Sequence, residues 1–159
     1  MIHWFNTLQG ARNSILLMEL KLLIPEHLLK DYEGAGTVKD SQENIRHGHK
    51  VVWIQEIIDR KGVIRALKFA PIQEHDLPIG KALVDQFDFE KKSLLIMDRG
   101  FLDGEGITHL KEDRGIDVCI PLKKNSEITQ FAVAQVATEN KWMPHPTRKD
   151  QRIYEINKP

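Results

Sequence analysis

"LLIMDRGFLDGEG", residues 94 to 106, runs from four apolar residues straight into an aspartate, an arginine and three glycines. Leu94 to Met97 offer nothing polar to either face, which marks a strand buried on both sides of a sheet. Strands of that kind pair in parallel and are covered by helices. In such sheets functional groups gather where a strand ends and its loop begins. Asp98 sits at that place, and Gly100, Gly104 and Gly106 let the backbone turn tightly behind it.

The flanking segments agree with a layered α/β fold. Upstream, "EHDLPIGKALVDQF" reads as a helix with Asp76 as N-cap, Pro78 in its first turn, and Ile79, Leu83 and Phe87 spaced four apart on one apolar face. Earlier still, "HKVVWIQEIID" and "VIRALKFAP" are β-rich runs separated by "RKG", a hairpin signal. Simple alternation places Val63, Arg65, Leu67 and Phe69 on one face of the second run. Downstream come a helix around "GITHLKEDRG", a short buried strand "DVCIPL" and a helix over "SEITQFAVAQVATEN". Antiparallel hairpin, helix, strand, helix, strand, helix is the order of a mixed sheet with right-handed parallel crossovers.

The ends are less regular. "SILLMELKLLIP" is either a buried strand or a short helix, since periodicity does not arbitrate, and Pro25 breaks or bends both. "YEGAGTVKDSQENIRHGHK" reads as a polar loop. "WMPHPTRKDQRIYEINKP" reads as the start of another element.

Composition narrows the function classes. A hydrophobic fraction of 41% and a charged fraction of 29% over 159 residues describe one globular domain. Lys plus Arg equals Asp plus Glu at 23 each, so contact with nucleic acid would rest on local patches. The single cysteine, Cys119, excludes an internal disulfide or a cysteine zinc cluster and reads as a small buried hydrophobe. Charges interrupt every apolar run before it reaches the length of a membrane span, so no membrane partner and a cytoplasmic location are expected.

The chemical candidates are few. Asp98 is a strand-end carboxylate suited to a metal ion or to a capped turn. Asp103 and Glu105 read as helix-start acids, because their spacing does not fit a calcium loop. The glycines do not match a dinucleotide fingerprint, although a small-ligand α/β domain using residues 98 to 106 stays open. His47 and His49 read as solvated residues at a strand entry, and His75 with Asp76 as a polar pair or a helix cap. No nucleophile elbow, P-loop or paired zinc motif is present.

In combination these residues resemble the DDE transposases of bacterial insertion sequences, in particular the insertion-sequence-four-like group. "LLIMDRGFLDGEGITHLKEDRGIDVCIPLKKN" carries that group's strand ending in D-R-G-F at Asp98 to Phe101, a helix with Leu110, then Gly115 with Ile116, and Pro121 to Lys123. "GHKVVWIQEIIDRKGVIRALKFAPIQEHD" looks like its G-[YH]-K strand, hairpin and terminal H-D. The likeness covers about residues 32 to 130.

The resemblance implies a ribonuclease-H-like fold: a mixed sheet, antiparallel hairpin followed by parallel strands, flanked by helices and here incomplete. It implies three carboxylates that hold Mg2+ or Mn2+ for phosphoryl transfer at transposon ends, with DNA as partner and a homodimer allowed. Asp98 matches the second carboxylate. Aligned on Ile24 and Pro25, the first falls on Leu20, with Glu19 beside it as the best substitute and Asp31 a poorer one. Glu139 and Glu155 do not match the context of the third. Lys123, Lys124, Arg148, Lys149 and Arg152, beside Trp142 and Tyr154, are the candidate DNA contacts.

The expected organisation is an N-terminal segment over 1–36 holding a degenerate first core strand, a partial core over 37–138, and the start of a truncated β-rich insertion over 139–159. Such a truncated or degenerate copy would be catalytically incomplete. A non-catalytic form that binds DNA or intact transposase subunits is the alternative.

Overall fold

The computed structural model describes residues 13–101, 103–122, 125–139, 141–145 and 149–153. The described residues divide into two compact units, a larger one up to Ile120 and a smaller one from Pro121 onward.

The larger unit is built on one six-stranded sheet. Its first strand, β1 (Ser14–Ile24), settles the early ambiguity: "SILLMELKLLI" is a strand, with Ile15 and Leu17 buried on one face. Then come β2 (Gly36–Lys39), β3 (Ile45–Ile58) and β4 (Lys61–Pro71). β3 pairs antiparallel with β1 along one edge, while its other edge carries β2 and then β4. Helix α1 (Asp76–Gln86) leads to β5 (Leu94–Met97), which lies parallel to β1 on its free edge. Helix α2 (Gly104–Glu112) returns to β6 (Asp117–Cys119), parallel to β5. An antiparallel meander followed by two parallel strands is the ribonuclease-H-like order, with β1 between β3 and β5.

The core lies on one face of this sheet. Ile15, Leu17, Val52, Ile54, Leu95 and Met97 point from the strands toward Ile79, Leu83 and Val84 of α1 and Leu110 of α2. Ile79 and Leu83 belong to the apolar stripe expected from the spacing, Phe87 of that stripe is partly buried against the cluster, and Val84 joins it. Arg114 closes the corner. Its guanidinium donates to the carbonyls of Val84 at 2.9 Å and Phe87 at 2.6 Å, and lies 5.0 Å from the Phe89 ring centre. It thereby serves carbonyls at the end of α1, adding to the bond that the Val84 carbonyl accepts from Phe87 N–H.

Three local readings are corrected. The segment over 32–50 is not simply a loop, because β2 and the start of β3 form a hairpin there. Asp40 organises its turn: Oδ1 accepts from the Gln42 and Asn44 amides at 2.9 and 3.0 Å, and Oδ2 from Arg46 Nε at 2.9 Å. The β3–β4 turn falls on Asp59 and Arg60, with φ of 48° and 64°, one residue ahead of the quoted turn. Finally, Ala66 pairs with Ile54 and Ile64 with Gln55, so Arg65 is an extra residue. That bulge puts Ile64, not Val63 or Arg65, on the face of Leu67 and Phe69.

The smaller unit contains helix α3 (Glu127–Glu139) and a short hairpin, β7 (Met143–Pro144) with β8 (Arg152–Ile153).

Among the described residues no helix is long and apolar enough to cross a membrane.

Candidate functional site

Asp98 follows β5 directly and is exposed at the strand's end. Its Oδ1 accepts from the Arg99 amide at 2.6 Å, and its carbonyl accepts from Phe101 N–H at 3.0 Å. These bonds close a 3-10 turn over Arg99–Phe101. Phe101 anchors the turn from below, 4% exposed and wedged against α1 where a Cβ on Gly80 would come within 2.5 Å of its ring. Only glycine at position 80 lets the helix approach this turn so closely.

The β1–β5 register ends at Leu17 beside Met97. Past that point β1 continues, and its alternation decides between the two residues aligned with the first carboxylate. Glu19 shares the core face with Ile15 and Leu17, whereas Leu20 points to the other face and is 50% exposed. Glu19 Oε1 is buried without a hydrogen-bond partner and lies 4.0 Å from Lys21 Nζ. Burial pushes the Glu19 carboxyl above its ordinary range, and the nearby Asp76 carboxylate, within side-chain hydrogen-bond reach, adds to it. Lys21 and Lys50 act in the opposite sense and do not prevail.

Asp76 is not the N-cap of α1. His75 holds that position without a side-chain cap bond, and Asp76 is the first helical residue. Its Oδ1 accepts from Lys50 Nζ, whose side chain is 4% exposed. Its other oxygen, Oδ2, lies 3.4 Å from where a Cβ on Gly100 would stand. Asp76 is therefore bonded to β3 through Lys50, acts on Glu19 of β1, and lies close to Gly100 of the Asp98 turn without a bond to it.

Sequence reasoning missed the Lys50–Asp76 pair. A signal was present: Lys50 lies in phase with Val52 and Ile54, so a buried strand face predicts a buried lysine that needs a partner.

The other candidates are placed as follows. Asp103 caps α2, accepting from the Gly106 amide at 3.2 Å, and pairs with Lys81 at 2.8 Å. Lys81, with help from the Gly106 and Glu105 amides, holds the Asp103 carboxyl below its ordinary range against the opposing effect of burial. Glu105 lies in the first turn of α2, and His47 Nδ1 meets Thr37 Oγ1 at 3.2 Å. Cys119 is half-buried in β6, and burial raises its thiol. Asp31 ends a 3-10 turn over Glu26–Asp31, and Glu139 ends α3. Lys149 and Arg152 are exposed at the β7–β8 hairpin of the smaller unit. Lys123, Lys124, Arg148, Tyr154 and Glu155 lie outside the described residues.

A hard divalent cation seeks oxygen donors, and Glu19 Oε1 is a buried oxygen with no hydrogen to accept. The acceptor chemistry therefore fits such an ion. The full ligand set does not form: among the described residues no three His, Cys, Asp or Glu side chains come together closely enough to hold a metal.

Comparison with known proteins adds three findings. No curated protein matches the chain. Among solved structures, it is similar to a piggyBac transposase, seen by cryo-electron microscopy in a synaptic complex with hairpin DNA. The identity is 12% and the TM-score 0.42, over 75% of this chain and 24% of that one, so this chain spans about a quarter of that protein. A family profile described as the transposase DDE domain matches residues 30–157, a family that generally uses divalent metal ions. With that match spanning most of its length, the chain belongs to the transposase DDE domain family.

Proposed function

We propose that this chain is the core of a transposase of the insertion-sequence-four-like group, built for divalent-metal-dependent phosphoryl transfer at transposon ends. Asp98 is the middle carboxylate, and Glu19 takes the place of the first. The observation that carries this reading is the unpartnered oxygen of Glu19, on the strand beside β5 and in reach of Asp76. A buried carboxylate oxygen without a donor is costly to the fold, and such costs concentrate at functional sites.

Mg2+ or Mn2+ is the ion proposed, held by Asp98 and Glu19; when bound it supplies charge stabilisation to the attacking and leaving oxygens. The protein's own contribution is placement of the two acids at neighbouring strands. This chain is proposed not to cut DNA by itself, because neither Glu139 nor Glu155 matches the context of the third carboxylate.

DNA is the proposed partner, and a second copy of the chain is allowed. Lys123, Lys124, Arg148, Lys149 and Arg152 would contact phosphates. A gel shift that weakens steeply with salt is the expected signature.

Mn2+ titration of the purified chain tests the metal reading. Asp98→Asn is expected to abolish the broadening of amide signals at residues 98 to 101. Since Asp98 is exposed, the same change should alter stability by no more than about 0.5 kcal/mol. DNA cleavage by the wild-type chain, lost in Asp98→Asn, would overturn the claim of inactivity while supporting the site. Broadening that survives Asp98→Asn would sink the metal assignment.

A further inference from the structure

Asp76 is the acidic residue in the first turn of α1, where an acid ordinarily serves the free amides of the helix end. Here its oxygens are directed elsewhere. Oδ1 accepts from Lys50, a lysine too deeply buried to shed its partner without a large cost. The carboxylate is thereby fixed to β3. Oδ2 faces Gly100, two residues beyond Asp98, at the distance of ordinary van der Waals contact for a Cβ built there. Glu19 approaches the same carboxylate from β1.

The Asp98 turn starts where β5 leaves the sheet, and its two internal bonds, Arg99 N–H to Asp98 Oδ1 and Phe101 N–H to Asp98 O, hold its shape. Phe101 secures its far end beneath α1. On the near side, Asp76 is the polar group next to Gly100.

We propose that Asp76, locked by Lys50, is a positioning residue that sets the Asp98–Gly100 turn against the Glu19 carboxylate. The inference rests on the site assigned above, yet it makes a separate claim about how that site is held. Sites that bind ions or reacting groups need placement to a fraction of an ångström, and partners of ligands commonly control it. Neither Asp76 nor Lys50 need touch DNA for this role.

Amide hydrogen exchange and Mn2+ broadening, read by NMR on the whole chain, test it. Asp76→Asn keeps the side-chain shape and removes the charge. Faster exchange at Arg99 and Phe101, with the interior of α1 unchanged and Mn2+ affinity lower by about tenfold or more, is the expected result. Loosening confined to the first turn of α1, or no change at Arg99 and Phe101, would overturn the proposal and leave Asp76 a structural residue. Should Asp76→Asn fail to fold, Asp76→Glu keeps the charge, displaces the carboxylate by one methylene, and must produce the same local pattern. If the wild type shows no Mn2+ effect near Asp98, the metal reading fails. The exchange pattern alone then decides whether Asp76 positions the turn.

Discussion

Lys50 on β3 and Asp76 at the start of α1, 26 residues apart, form an ion pair in which the lysine side chain is almost wholly enclosed. An ammonium group cannot be taken out of water at that depth without a compensating charge. The pair thus ties the helix to the sheet at the point where β1, β3 and the Asp98 turn converge.

Lys50→Met should be clearly destabilising, because it leaves the partly buried Asp76 carboxylate without its counter-charge. Loss of one partner of a buried pair costs about 3–5 kcal/mol. Asp76 is 23% exposed and water relieves part of that cost, so a value toward the lower end is expected. Urea denaturation checks it. Lys50→Met combined with Asp76→Asn should recover part of the loss, the sign of direct coupling in a double-mutant cycle.

Glu19 supplies a pH dependence of the opposite sign to a salt-bridged acid. Burial first, and then Asp76, raise its folded-state pKa above the ordinary 4.5. Its ionised form is therefore disfavoured by folding. The associated stability is fully present below the unfolded value and is lost as pH rises through the raised one. Glu19→Gln, neutral throughout, should raise Tm by a few degrees at pH 7 and bring little change near pH 4. Paired thermal melts at the two pH values give the answer. A Tm gain equal at both would mean that ionisation of Glu19 is not the cause.

Gly80→Ala sets two effects against each other. Alanine favours a helix by about 1 kcal/mol over glycine. Its Cβ, however, would stand 2.5 Å from Phe101 Cδ1 and 3.2 Å from Leu17 Cδ2. Both neighbours are buried and cannot swing into solvent. Overpacking costs of about 1–3 kcal/mol outweigh the helix gain, so a net loss of roughly 1 kcal/mol is expected. The altered Phe101 should also shift the amide signals of Arg99 and Gly100, which a simple change in helix propensity would leave alone.

Much of this architecture is local and could be read along the chain. Leu94–Met97 is a strand as its apolar run indicates, although only Leu95 and Met97 are buried while Leu94 and Ile96 are half-buried on the other face, and α1 shows its inward side by spacing. The D-R-G-F stretch and the G-H-K and H-D signals place the chain near its family before any coordinates are considered. Where the reading failed, a side chain acted on backbone some residues away. Asp40 built a hairpin turn out of an apparent loop, and Arg65 slipped the alternation of β4 by one.

By itself, then, the sequence determined the order of elements from the β3–β4 hairpin to α3, the strand-end position of Asp98 and the apolar face of α1, all of which follow from patterns over a few residues. The tertiary structure alone decided that Glu19 rather than Leu20 shares the core face, and that Asp76 pairs with Lys50 instead of capping its helix. The physical reason is range. Helix and strand patterns repeat within a few residues, but the partner that a buried charge must find lies wherever the sheet's register brings a neighbouring strand.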